Sequence, residues 1–232
     1  MTGCLRAIAL AAVLAAAVPV AAAPFTVRIG AERVVLDAPP GFSDTTELAS
    51  PRLQELGESL TSASNRILLF ALSDGDLRRF MTGDQIEARR YMIAVTPKGM
   101  DRERVSAEAF NAFVSDSLRE LGKPAESAEA ANVPQYLDKQ PHGRASLLAE
   151  LRKDPMVVSV LQGTRLPRAP GGGFWSPEKP PQYLLSTTTL FLVRGKLLRL
   201  DVFTGIDGTA DLDWLRGITE RWMNELLRLN SR

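Results

Sequence analysis

The chain has 232 residues, 45% of them apolar and 24% charged, with 28 basic side chains against 27 acidic ones, one Cys and one His. Those proportions exclude a collagen-like repeat, an intrinsically disordered chain and a multi-span membrane protein.

Residues 1–6 carry one positive charge, Arg6, and an apolar run from Ala7 to Val20 follows, closed by the small residues Ala21-Ala22-Ala23. This order predicts a signal peptide over residues 1–23, cleaved near Ala23, and a mature domain over residues 24–232. Pro19 near the end of the run, and its length of about 17 residues, argue against a membrane span. Cys4 precedes the apolar run, whereas a lipidated Cys follows it, so lipidation is rejected. The short, Ala-rich leader has a bacterial character, and the expected compartment is the periplasm, with no transmembrane span after cleavage. Removing Arg6 from the 28 basic residues leaves 27 against 27 acidic ones, no Cys, and His142 as the sole imidazole. Disulfides, thiol catalysis and Cys-based zinc sites are thereby excluded, and stability falls to the apolar core.

Phe25–Ile29 alternates apolar and polar residues as a half-buried strand does, and Arg33–Asp37 reads as its hairpin partner. Ser50-Pro51 starts a helix that runs to about Leu60 with Leu53, Leu56 and Leu60 inward. Asn65–Leu72 is an apolar run of strand length, Asp74–Asp84 reads as a loop with one helical turn around Leu77 and Phe80, and Arg90–Thr96 is another strand. Ser106 caps a helix whose stripe is Phe110, Phe113, Val114, Leu118 and Leu121, with Gly122 as its stop. Residues 123–142 read as irregular, Arg144–Lys153 as a short helix with Leu147, Leu148 and Leu151 inward, and Met156–Leu161 as a strand.

Residues 163–182 hold five Pro and four Gly around Phe174-Trp175 and read as a long loop, a length that is uncommon unless functional or disordered. Tyr183–Val193 and Lys196–Thr204 form a hairpin about Arg194-Gly195, with Leu198, Leu200 and Val202 facing the core and Arg199 and Asp201 facing water. A last helix spans about Asp211–Leu229. Hairpin-linked strands interrupted by amphipathic helices predict an α+β fold, an antiparallel β-sheet with helices packed on its faces, in a single domain. The only plausible boundary lies near residues 123–145.

The chemistry-bearing residues do not assemble into a motif. His142 sits between Pro141 and Gly143, a turn setting, and no G-x-S-x-G elbow is present. Asp201, Asp207, Asp211 and Asp213 crowd together, but their spacing is not that of an EF-hand; Asp-Gly makes a turn, and Asp211 and Asp213 suit the positive end of the last helix. Gly171-Gly172-Gly173 lacks the Lys and the helix that a phosphate cradle needs. Basic and acidic residues interleave between Arg78 and Arg104, so no nucleic-acid footprint is expected. No cofactor or metal is expected either. Arg165, Arg168, Phe174 and Trp175 remain as a candidate partner-contact loop, since exposed Trp and Arg are favoured anchors. The alternative is that Phe174 and Trp175 fold back and cap the core.

The stretch Val34-Val35-Leu36-Asp37-Ala38-Pro39-Pro40-Gly41-Phe42-Ser43-Asp44-Thr45-Thr46, a strand followed by a Pro-Gly-aromatic turn and a polar segment, resembles the opening of PsbP-like and DcrB-like domains. The later hairpin and terminal helix are similar to their antiparallel sheet flanked by helices, whereas residues 123–182 depart from it. The resemblance implies an extracytoplasmic accessory or assembly role, and carries over no site residues. The expected function is a non-enzymatic periplasmic module that binds another envelope protein. A hydrolase or other enzyme that works with carboxylates and Arg alone, or a small-molecule or lipid binder with a cavity between sheet and helices, are the alternatives.

Overall fold

In the computed structural model, residues 23–125, 132–167 and 182–231 are described. Nine strands among them form one two-stranded ribbon and one seven-stranded sheet. The ribbon pairs β1 (Phe25–Ile29) with β2 (Glu32–Leu36). The sheet contains β3 (Phe42–Asp44), β4 (Asn65–Ser73), β5 (Arg90–Pro97), β6 (Ala145–Asp154), β7 (Val157–Arg165), β8 (Tyr183–Val193) and β9 (Lys196–Gly205). Its order is β3-β4-β5-β9-β8-β7-β6, antiparallel throughout. Five helices pack against this framework: α1 (Pro51–Ser59), α2 (Asp74–Thr82), α3 (Ala107–Leu121), α4 (Val133–Asp138) and α5 (Thr209–Asn230). The fold is therefore α+β, as the pattern of strands and helices predicts. None of these helices is long and apolar enough to cross a membrane.

Period-2 alternation in β9 decides which helix meets which face. Leu198, Leu200 and Val202 point to the side covered by α5, where Leu215, Ile218, Trp222, Met223 and Leu226 complete the main core. The ribbon joins the same side through α5: Trp222 donates its indole N–H to the Asp37 carbonyl at 2.6 Å, and Asn230 exchanges hydrogen bonds with the Val35 backbone. The opposite face carries two smaller clusters. Leu53 and Leu56 of α1 cover Phe70, Leu72 and Tyr91, while Phe110 and Val114 of α3 cover Val158, Leu192 and Leu197. The expectation that Arg199 and Asp201 face water holds for Arg199, which is exposed, but not for Asp201, which is 3% exposed. Helix α3 covers Leu197 at the start of the strand.

Four further readings are corrected. Arg144–Lys153 is not a helix but the edge strand β6, because β-bulges between Leu147 and Ala149 and between Glu150 and Arg152 give its leucines a helix-like spacing. Asp74–Thr82 is a full helix, capped by Ser73, which accepts from the Asp76 amide, and stopped by Gly83 at φ +82°. The segment 123–142, read as irregular, contains α4, capped by Asn132. In α3 the stripe is narrower than its spacing suggests: Phe110 and Val114 are buried, but Phe113 is 45% exposed. The hairpin turn between β8 and β9 has positive φ at Arg194 as well as Gly195, the backbone of a type I′ turn.

Candidate functional site

β7 continues to Arg165, so the predicted loop begins later than residue 163. Arg168, Phe174 and Trp175 lie outside the described residues, as do residues 1–22 of the predicted signal peptide over residues 1–23. What the structure does define is the pair of strand ends between which residues 166–182 run.

Those ends are fastened together and to α4. Arg165 pairs with Tyr183 across the β7–β8 ladder, and the Leu166 amide extends it by donating to the Gln182 carbonyl at 2.9 Å. Asp138, the last residue of α4, takes both side chains. Tyr183 donates its hydroxyl to Asp138 Oδ1 at 2.8 Å, and Arg165 Nη2 stands 3.5 Å from the same oxygen. Arg165 Nη1 also donates to the Asp138 carbonyl at 2.8 Å. Desolvation, and then donation to Asp138, push the Tyr183 hydroxyl pKa up. The turn before β6 adds a third fastening: the Gly143 amide donates to the Arg165 carbonyl at 2.8 Å, and His142 Nδ1 lies 3.2 Å from the Leu166 carbonyl. His142 thus meets backbone rather than a nucleophile.

Beside this base lies a cleft of about 240 Å³ between the end of α3, α4 and the start of β6. Lys123 and Arg144 supply its charge, Tyr136, Gln140 and Ser146 its neutral polar groups, and Leu147 part of its apolar wall. No spacing rule points to it, because its residues come from three separate segments and the leucine spacing of one of them mimics a helix.

Two other charged centres are built into the fold. Asp211, in the first turn of α5, accepts from the amides of Asp207 and Gly208 and pairs with Arg89 and Arg90 at 2.9 and 3.0 Å. Burial would raise its carboxyl pKa, but the Asp207 amide and the two guanidiniums hold it below the usual range. Asp207 and Asp211, two of the four aspartates that crowd the sequence here, thus fix a turn and a helix start. Asp201, on the second face of β9, accepts from Thr188 at 2.6 Å and pairs with Arg199 at 2.8 Å. Desolvation raises its pKa, and Arg199 offsets this in part.

No family model and no curated protein matches this chain. A solved structure of a mutant of protein Mog1 is similar at 13% identity and a TM-score of 0.37, over 90% of this chain and 94% of that one.

Proposed function

We propose that the chain is an exported, non-catalytic accessory module of the bacterial periplasm that binds another envelope component through residues 166–182. The observation that carries this reading is the double attachment of Asp138 to Arg165 and Tyr183, which holds both ends of that segment on one helix. A segment presented from a fixed base loses less freedom on binding than one on a loose base. Arg168, Phe174 and Trp175 supply the residue types that anchor protein interfaces. The resemblance of Val34–Thr46 to PsbP-like and DcrB-like domains belongs to the same reading, since those domains act as accessory factors outside the cytoplasm.

The alternatives have less support. Asp201, the most buried carboxylate of the second sheet face, is committed to Thr188 and Arg199. A lipid binder needs a wide apolar cavity, whereas the cleft at α4 is small and carries two cations.

The reading is tested by photo-crosslinking in intact cells from a reactive amino acid placed at position 174, in the wild type and in Trp175→Ala. A discrete crosslinked protein that is lost in Trp175→Ala supports it. The absence of any crosslink, or the same crosslink in both chains, overturns it.

A further inference from the structure

We propose that the cleft between the end of α3, α4 and the start of β6 is a binding site for a small oxyanion, a carboxylate or phosphate group carried by a small molecule. Lys123 and Arg144 stand twenty-one positions apart in the chain and come together on this one cavity. Each is placed by main-chain bonds beside it. The Ala125 amide donates to the Leu147 carbonyl at 3.0 Å, which lays the segment after α3 along β6. Gly143, at φ +74° and bonded to the Arg165 carbonyl, fixes the turn from which Arg144 emerges.

Among the described residues neither cation has an ion-pair partner, and the cleft lining contains no carboxylate. Asp138 is the acid on the same helix as Tyr136, and it is already occupied by Arg165 and Tyr183. Two like charges that share a concave site without a counter-charge raise the local potential and attract an anion. An Arg guanidinium can grip an oxyanion through two parallel hydrogen bonds, while Lys contributes a compact second charge. Tyr136, Gln140 and Ser146 add neutral donors at the same wall. At about 240 Å³ the cavity falls below the volumes that hold drug-sized ligands, roughly 300–1,000 Å³, so the ligand is small.

This site uses none of residues 166–182, so it stands or falls apart from the partner-binding reading. The test is calorimetric titration of the purified protein at low ionic strength with inorganic phosphate, with succinate and with uncharged glycerol. Saturable binding of phosphate or succinate but not glycerol is expected. In the double variant Lys123→Gln, Arg144→Gln the affinity falls by at least about 10–100-fold, the scale of one charge-assisted hydrogen bond. Both side chains are exposed, so the melting temperature without ligand stays unchanged. Preference for phosphate assigns a phosphoryl ligand, and preference for succinate a carboxylate. No saturable binding of either anion, or equal affinity in the double variant, overturns the proposal.

Discussion

The guanidinium of Arg90 lies over the ring of Trp214, 4.1 Å from its centroid, while it also pairs with Asp211 at 3.0 Å. The first strand residue of β5 and the first turn of α5 are thereby locked together, and Phe42 extends the stack with its ring 6.1 Å from Trp214. Asp211→Ala removes the acceptor for two backbone amides and two guanidiniums at once. It is expected to destabilise the fold by about 2 kcal/mol, an amount discounted because both arginines are partly exposed. Urea denaturation followed by Trp fluorescence measures this; an unchanged midpoint would show that the cluster is decorative.

Asp211 and Asp201 should respond to acid with opposite signs. The Asp211 pKa is lowered on folding, so its contribution is present above the unfolded value of about 3.9 and is lost as the pH falls below it. The Asp201 pKa is raised, so the folded state gains relative stability as the pH falls through that raised value. Asp201→Asn is therefore expected to stabilise the protein at pH 7, with the gain shrinking on acidification. Asp211→Asn should destabilise at pH 7, with the loss shrinking over the acid range. Stability curves at several pH values decide this, and a pH-independent effect of Asp201→Asn contradicts the assignment.

Most of the sheet could be read from sequence because period-2 alternation and a two-residue turn dictate β8 and β9 locally. The edge strand β6 could not, since its bulges depend on pairing with β7, and leucines at positions 147, 148 and 151 mimic a helical face. The second face of β9 misled for a related reason. Arg199 does face water, but Asp201 is buried, and that burial is a tertiary fact that no local pattern announces. At the candidate site only Arg165 was foreseen among the described residues. Asp138 and Tyr183, its partners, carry no motif, and the cations of the cleft belong to segments joined only by the fold.

Gly163 illustrates how closely that joint is packed. A Cβ there would stand 2.9 Å from Leu137 Cδ1 and 3.1 Å from Leu148 Cδ1, so a side chain at this position forces those leucines to shift. Gly163→Ala is expected to cost about 1–3 kcal/mol through overpacking. Thermal unfolding tests this, and a melting temperature equal to wild type would mean that the leucines yield freely.

Asp138→Ala separates attachment from folding. Its carboxylate is half exposed, so its ion pair adds little to global stability, and the midpoint of unfolding should move by less than about 1 kcal/mol. The local effect is larger, because Arg165 and Tyr183 lose their shared acceptor and only backbone bonds, with the Gly143 turn, are left to hold the strand ends. Amide hydrogen exchange at Leu166 should accelerate in this variant while exchange at Leu200, in the centre of the sheet, does not. Crosslinking from position 174 should weaken in parallel, since the partner would then have to order the base as well as the segment. Faster exchange at Leu166 with undiminished crosslinking would show that the fixed base is irrelevant to binding, and unchanged exchange would show that Asp138 does not hold the strand ends.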